Sequence, residues 1–353
     1  MAARTRSSAA SSPARWRKDK PMDFQLSDDH RMLQDSLRGI LARHSGEALM
    51  PALLEAGVPH ALLTEAEGGF DGSGAAVALI FEALGRAGAS LPLIGTMIGA
   101  AALAQAGQPA DDGATIAFAD AEPGTRYDRG VAIRAEGDRL TGRKTMVAGA
   151  EGAAAIIVTT ADALWRVAPD ATGLTVRPYP LMDDQRGADL ILDATPATRL
   201  GALADFDAVL ARGVLAHAAY ALGTLSAAVD LTLDYLRTRK QFGQPLIAFQ
   251  ALAHRAADLS VEVEQARSAV TNFAGHLDAE APLRDRHLQA CKVTLGRVAR
   301  LVAEESVQLH GGIGMTEEYA LGGMIRRLLA ADTAMGDADF HLERFARGEP
   351  AFA

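Results

Sequence analysis

The spacing of apolar residues divides the chain into two helical regions separated by a region of short strands. From Ser27, in an N-cap position, apolar residues recur three and four positions apart, which is typical of amphipathic helices. Over residues 115–192 the apolar runs are short, many of them alternating or β-branched, and turn dipeptides such as Pro-Gly separate them. Helical spacing returns at Asp205 and persists. The pattern therefore predicts helices, then a β region, then helices.

The predicted helix Phe206–Arg239 carries a face of small residues, which lets two helices approach closely. These residues are Ala211, Ala216, Ala219, Gly223 and Ala227. Three further helices are predicted at 248–277, 282–309 and 321–347. The predicted fold class is α+β and mostly α. Its domains are an N-terminal helical domain (22–112), a middle antiparallel β domain (113–202) and a C-terminal four-helix bundle (203–353).

Charge and cysteine content exclude several classes of function. The 353 residues include 35 Lys and Arg against 44 Asp and Glu, a net charge of −9 that argues against a nucleic-acid partner. The single cysteine, Cys291, excludes an intrachain disulfide and a multi-cysteine metal site, and the histidines show no paired metal-ligand spacing. We expect no metal and a reducing compartment, the cytoplasm. The uncharged stretch 87–110 is diluted by glycines and polar residues, so we interpret it as a buried helix rather than a membrane span.

Residues 1–21 differ from the rest of the chain. They are rich in Arg, Ser and Ala, carry six basic residues against Asp19, and lack the apolar core of a secretory signal. They are similar to a transit-type presequence or to an over-long gene start, and we expect them to be disordered. Met22 opens the patterned sequence and is our expected functional start. A genuine transit peptide would instead direct the protein to an organellar matrix, and the choice between Met1 and Met22 stays open.

Two local signatures stand out in the C-terminal region. Residues 237–250 read RTRKQFGQPLIAFQ at the end of a long predicted helix, and residues 308–319 read QLHGGIGMTEEY. With the helix–β–helix order, these motifs resemble the acyl-CoA dehydrogenase flavoprotein family over about residues 23–346. Asp258 and the pair Arg326-Arg327 also stand where the family has polar residues.

The resemblance implies FAD as cofactor, an acyl-CoA thioester as substrate of α,β-desaturation in fatty acid or lipid catabolism, electron-transferring flavoprotein as acceptor, and a tetramer. It implies that one subunit binds FAD through Arg239, Phe242 and Gln250. It implies that a neighbouring subunit contributes Gln308, Gly311 and Gly312. The chemistry agrees, because a guanidinium suits a pyrophosphate and a glycine backbone lets a phosphate approach closely. Taken alone, a GGxG run is more often a turn and a lone arginine a solvated charge.

The chain departs from the family where the catalytic base is expected. The family removes the α-proton with a glutamate, and a buried carboxylate with a raised pKa suits that task. Counting from the second signature places Met335 at the usual glutamate, and counting back from Gly243 places Gly213 at the family's other base position. Neither residue takes a proton. Asp337 is a weak candidate for the base, since an N-cap or an ion pair with Arg344 also explains it.

The flavin-facing segments of the β region are only half kept. The family's T-E-P-G-x-G-S run appears as AEPGTRY over residues 121–127, and its W-I-T/S-N strand appears as MVAG over residues 146–149. Ala148 offers no hydroxyl to the flavin. Other polar or reactive side chains have both a functional and a structural interpretation: His310, His341, Arg212, His217 and Cys291.

In these departures the chain is similar to a subgroup of short acyl-CoA dehydrogenase-like chains. Chains of that subgroup end in a G-D-A-x-x-H-x-x-R-x-A run, here residues 336–346. Such chains pair with a homologous chain that carries the glutamate. Three hypotheses stay open: a subunit that completes a partner's flavin site, a self-sufficient dehydrogenase with a non-standard base, and a flavin-free helical interaction protein.

Overall fold

The computed structural model describes residues 27–109 and 113–352, so the expectations for 1–21 and for Met22 lie outside the described residues. The first helical region contains α1 (Asp28–Arg43), α2 (Leu49–Glu55), α3 (Val58–Ala61), α4 (Gly74–Ala87) and α5 (Leu93–Gln105). Ser27 caps α1, its hydroxyl accepting from the His30 N–H at 3.2 Å. The apolar stretch 87–110 contains α5, which is largely buried, as the sequence predicted.

The middle region forms two four-stranded sheets. Its strands are β1 (Ile116–Ala119), β2 (Ile133–Glu136), β3 (Arg139–Lys144), β4 (Ala155–Thr159), β5 (Ala163–Val167), β6 (Leu174–Pro180), β7 (Arg186–Pro196) and β8 (Thr198–Ala202). One sheet has the order β1-β4-β5-β8 and the other β2-β3-β7-β6. Their pairings are antiparallel except for β1 with β4, which is parallel. The apolar faces of both sheets meet in a core that includes Leu140, Ile156 and Trp165.

The last region is helical again. It contains α6 (Asp207–Thr238), a short hairpin of β9 (Lys240–Gln241) and β10 (Gln244–Pro245), α7 (Gln250–Gly275), α8 (Ala281–His310), α9 (Ala320–Thr333) and α10 (Ala338–Arg347). The final helix predicted at 321–347 is therefore two helices, separated by a turn at residues 334–337. The α+β, mostly helical fold class is confirmed.

Helix α6 lies at the centre of the helical core. It packs against α4 so closely that a Cβ on Gly223 would lie 2.0 Å from Glu82 O, and a Cβ on Gly85 would lie 2.0 Å from Tyr220 O. The small-residue face predicted for α6 thus contacts another helix. Residues 203–238 are long and apolar enough to cross a membrane, but most of the apolar window is buried inside the protein, as in a core helix.

The segment after α10 packs against the body of the chain. Ala351 and Phe352 are buried, and the Ala351 N–H donates to Asp285 Oδ2 at 3.0 Å. The Arg129 guanidinium lies 5.7 Å from the centre of the Phe352 ring. This segment therefore connects α8 to the β-domain loop that holds Arg129.

Candidate functional site

The two positions expected for the catalytic base lie against each other. A Cβ on Gly213 would lie 3.4 Å from Met335 Sδ and 2.4 Å from Ile98 Cδ1. Gly213 is buried near the N-terminal end of α6, and Ile98 on α5 is 1% exposed. Neither expected base position carries a carboxylate, and apolar side chains fill the space between them.

Met335 belongs to the turn between α9 and α10, and buried polar groups hold that turn. Its φ is 55°, a left-handed conformation that is uncommon outside glycine. The Lys292 ammonium donates to the carbonyls of Ala331, Asp332 and Ala334 at 3.2, 2.9 and 2.9 Å. These are carbonyls that the end of a helix leaves unpaired. Lys292 therefore fixes the path of the backbone into Met335.

The polar groups beside Lys292 are desolvated. Burial lowers the pKa of Lys292 to about 8, although the negative charge of Asp332 acts to raise it. Burial raises the pKa of Asp332, and its Oδ1 has no hydrogen-bond partner among the described residues. A cavity of about 10 Å³ lies between His217, Lys292 and Asp332, and about this volume is needed for one water molecule. Sequence reasoning missed Lys292, although it is a charged residue at an apolar-face position of α8.

Asp337, the weak candidate for the base, is already surrounded by donors. Its carboxylate accepts from the Phe340 N–H at 2.8 Å, which caps α10, and from Arg126 Nη2 at 3.1 Å. Burial opposes ionisation here, but the hydrogen bonds from Phe340 and Tyr127 and the Arg126 charge hold the pKa of Asp337 below its usual range. The N-cap interpretation agrees with this geometry. The ion pair of Asp337 is with Arg126, whereas Arg344 lies 3.9 Å from Glu349.

The glutamate that remains from the family's β-domain segment is structural in this chain. Glu122 and Lys144 form an ion pair at 2.8 Å with both side chains fully buried. Glu122 also accepts from the N–H groups of Gly130 and Ala132 at 2.7 and 2.5 Å. These bonds close the loop of residues 120–132 at its base. Ala148, in the other half-kept segment, adds no polar side-chain atom.

The first flavin signature forms an exposed arm at the end of α6. Arg239 follows the last residue of α6, and Phe242, in the turn of the β9–β10 hairpin, is 92% exposed with a φ of 52°. No carboxylate of the described residues forms an ion pair with Arg239, whereas the nearby Arg237 pairs with Asp234 at 3.2 Å. Gln250 is exposed at the start of α7. An unpaired guanidinium and an exposed ring are thus presented outward.

The second signature lies at the same end of the bundle. The His310 ring stacks on Tyr235 of α6 with 4.5 Å between centroids, which joins the two signatures. Gly311 has φ 67° and ψ −144°, a backbone conformation that essentially only glycine adopts. A Cβ on Gly312 would meet no heavy atom within 4 Å, so nothing among the described residues requires a glycine there. Its open backbone suits a group from outside the chain.

Several other singled-out side chains have structural roles. His310 bonds Ser306 O through Nδ1 at 2.8 Å and the Tyr319 hydroxyl through Nε2 at 3.2 Å, and burial lowers its pKa. Arg212 forms an ion pair with Glu67 at 2.6 Å. These groups hold helices and loops together.

The remaining three of these side chains, those of His341, His217 and Cys291, face the interior of the protein. His341 Nε2 bonds Met335 O at 3.1 Å, and burial together with the Lys292 charge lowers the pKa of His341 to about 3. Burial and Lys292 lower the pKa of His217 equally, to about 3. Cys291 is fully buried and burial raises its thiol pKa to about 12, which makes it an unreactive thiol.

Helices followed by paired sheets and a helical bundle, with two flavin signatures meeting at one end of that bundle, define an acyl-CoA dehydrogenase fold. The chain is similar to the acyl-CoA dehydrogenase family. Residues 205–349 match the family described as "Acyl-CoA dehydrogenase, C-terminal domain".

Relatives and solved structures agree with that family. The chain is 29% identical over 310 residues to acyl-CoA dehydrogenase IpdE2 of Mycobacterium tuberculosis (strain ATCC 25618 / H37Rv), covering 83% of this chain and 88% of that protein. Among solved structures, the Tcur3481-Tcur3483 steroid ACAD G363A variant is 28% identical with a TM-score of 0.83, covering 91% of this chain and 97% of that chain. The ChsE4-ChsE5 complex from Mycobacterium tuberculosis shares the fold at 23% identity and a TM-score of 0.83, covering 92% of this chain and 98% of that chain.

FAD is the cofactor of this family, and the exposed arm fits part of it. The free guanidinium of Arg239 suits a pyrophosphate, and the open backbone at Gly311 and Gly312 admits a phosphate or ribose without a side-chain clash. The fit is incomplete inside one chain, because these groups face outward rather than into a cleft. When bound, FAD would supply the acceptor for a hydride, and Arg239, Gly311 and Gly312 are the residues of this chain that would hold it.

Proposed function

We propose that this chain is a subunit of an FAD-dependent acyl-CoA dehydrogenase and that it completes the flavin site of a homologous, glutamate-bearing partner chain. One observation carries the proposal: the two base positions, Gly213 and Met335, lie side by side and neither has a carboxylate. At the same time the flavin-binding groups are kept and exposed. A chain that keeps binding groups but lacks the proton acceptor suits a shared site.

In this proposal, the partner chain would supply the glutamate that removes the α-proton of the acyl-CoA thioester, and FAD, when bound, would supply the acceptor for the β-hydride. Arg239 binds the pyrophosphate through charge-assisted hydrogen bonds, and Phe242 covers the cofactor from solvent. Gly311 and Gly312 bring backbone N–H groups close to it. We further propose a heterotetramer as the assembly and electron-transferring flavoprotein as acceptor.

The names of the similar structures support an assembly of this kind. The steroid ACAD variant carries a two-component designation, Tcur3481-Tcur3483, and the ChsE4-ChsE5 structure is of a complex. Lipid catabolism as the setting agrees with the designation steroid ACAD of the first. We also propose a cytoplasmic location, which fractionation of cells expressing the untagged chain from Met1 tests; recovery in an organellar matrix would indicate a transit peptide instead.

The experiment purifies the chain alone and together with a glutamate-bearing homologue encoded beside it. Flavin absorbance per chain and its bleaching by added acyl-CoA are recorded for both samples. We expect bleaching only with the partner present. Stoichiometric flavin and bleaching in the lone chain would contradict the proposal and favour a self-sufficient enzyme, whereas absence of flavin from both samples would favour an interaction protein.

A matched pair of variants tests the flavin arm in the same samples. Arg239→Ala removes the unpaired guanidinium, and we expect it to release FAD from the complex. Arg237→Ala removes a guanidinium that is two residues away and already pairs with Asp234. Equal flavin retention in both variants would show that Arg239 does not bind the cofactor.

A further inference from the structure

The β-domain loop of residues 120–132 crosses to the turn that holds Met335. The family's T-E-P-G-x-G-S segment has glycine and serine at its sixth and seventh positions. This chain has Arg126 and Tyr127 there. Two small residues are therefore replaced by two of the largest side chains, at the edge between the β domain and the helical bundle.

Both large side chains contact residues at the start of α10. Arg126 Nη2 donates to Asp337 at 3.1 Å from Oδ1 and 3.4 Å from Oδ2, and it lies 4.0 Å from Asp339. The Tyr127 ring lies 5.0 Å from the Phe340 ring at an interplanar angle of 54°. Burial together with the Asp337 carboxylate raises the pKa of Tyr127. An ion pair and a ring contact thus bridge the edge.

The loop that presents these side chains is anchored at its base. The buried Lys144–Glu122 pair and the bonds from Gly130 and Ala132 to Glu122 fix its two ends relative to each other. Arg129 adds a bidentate pair with Asp120 at 2.6 and 2.9 Å. The bridge therefore starts from an ordered loop rather than from a free chain.

The space behind the bridge is filled as well. Ile98, Gly213 and Met335 pack against one another where an acyl carbon would meet its base. The cavity beside Lys292 and Asp332 holds only about 10 Å³, the volume of one water molecule. An acyl chain would have room only if Met335 moved, and the bridge from Arg126 to Asp337, two residues further on, holds the Met335 turn in place.

We propose that Arg126 and Tyr127 close this chain's own acyl-CoA cleft, so that in the heteromer acyl-CoA binds at the partner's site alone. This inference rests on the proposed function and deepens it, because it assigns the substrate to one site per pair of chains. Arg126 contacts Asp337 and Tyr127 contacts Phe340. The two side chains therefore cover the turn that holds Met335.

Equilibrium dialysis of octanoyl-CoA against the purified complex counts the open sites. We expect one molecule bound per pair of chains, and two per pair in the variant R126G/Y127S, which restores the family's small residues. The matched control Asp339→Asn leaves the Arg126–Asp337 pair intact and is expected to keep one. Two molecules bound by the wild-type complex, or an unchanged count in the folded double variant, would overturn the closure.

Hydrogen exchange in the wild-type chain gives a second measurement that needs no variant. Residues 120–132 and 334–340 of this chain should exchange equally with and without octanoyl-CoA. Protection of these segments by octanoyl-CoA would show that the ligand enters this cleft and would overturn the closure. The partner proposal is judged separately by flavin content and bleaching, so each can fail while the other stands.

Discussion

The flavin arm and the base position lie in one helical bundle but have opposite characters. At the two signatures, Arg239 and Phe242 are exposed and Gly312 faces open space, and these are residues that we propose bind FAD. At the base position, Gly213 and Met335 are packed together and the family's carboxylate is absent. On the proposed function, the exposed side chains serve a site shared with a partner chain, and the packed base position is one that this chain does not use.

The largest effect is expected on the free energy of unfolding, when the buried ion pair at the base of the loop of residues 120–132 is broken. Lys144→Met leaves Glu122 as a buried carboxylate without its cation, and breaking a buried pair on one side costs about 3–5 kcal/mol. Urea denaturation of the variant measures the loss in the free energy of unfolding. The exposed Lys240, changed to Met, is the control and should alter it by less than about 0.5 kcal/mol. Equal losses in both variants would show that the buried pair has no special role.

The second effect is on cofactor binding. Arg239→Ala removes charge-assisted hydrogen bonds worth about 1.5–3 kcal/mol, so FAD should bind the complex roughly tenfold to a hundredfold more weakly. Titration of apoprotein complex with FAD, followed by flavin fluorescence, measures this. The free energy of unfolding of the lone chain should not change, because Arg239 is exposed and forms no ion pair among the described residues. A large loss of stability instead would place Arg239 inside the fold.

The third prediction compares the same substitution at a packed and an open glycine. Gly223→Ala forces a Cβ against Glu82 O of α4, and overpacking of this kind costs about 1–3 kcal/mol. Gly312→Ala meets no atom of the described residues, so its stability should change by less than about 0.5 kcal/mol. Gly312→Ala should nevertheless weaken FAD binding to the complex. Thermal unfolding and FAD titration of both variants give the two readouts.

The last prediction is a pH dependence. The folded-state pKa of His341 is about 3, below its usual value near 6.5, so between these values the unfolded chain binds more protons and stability is lost as pH falls. His341→Gln keeps a donor for Met335 O but does not titrate. We expect stability of this variant to fall less steeply from pH 6.5 to pH 4 than that of the wild type. Unchanged slopes, relative to the exposed control His254→Gln, would contradict the burial of a neutral His341.

Much of the fold follows from local pattern, and less of the site does. Helical spacing and the signature residues predicted the fold class and the family, because both depend on residues near each other in sequence. The break at Met335 was missed, since the apolar spacing of α9 and α10 runs on through a turn that Lys292, on another helix, stabilises.

The contact of Arg126 with Asp337 was missed for the same reason. The two residues are 211 positions apart, and only the folded chain shows that the β-domain loop reaches α10. Sequence comparison with the family did identify the gap at Met335 and Gly213. It could not show that these two positions lie side by side in the folded chain. The roles assigned to Arg239, Gln308 and Gly312 stay predictions.

The buried end of the chain has a practical consequence. Ala351 and Phe352 are covered by the body of the protein, and Phe352 lies beside Arg129 in the loop that carries Arg126. A reporter or affinity handle joined at this end would pull on that loop and, through it, on the edge between the two domains. A handle at this end is therefore expected to disturb the counting of substrate sites.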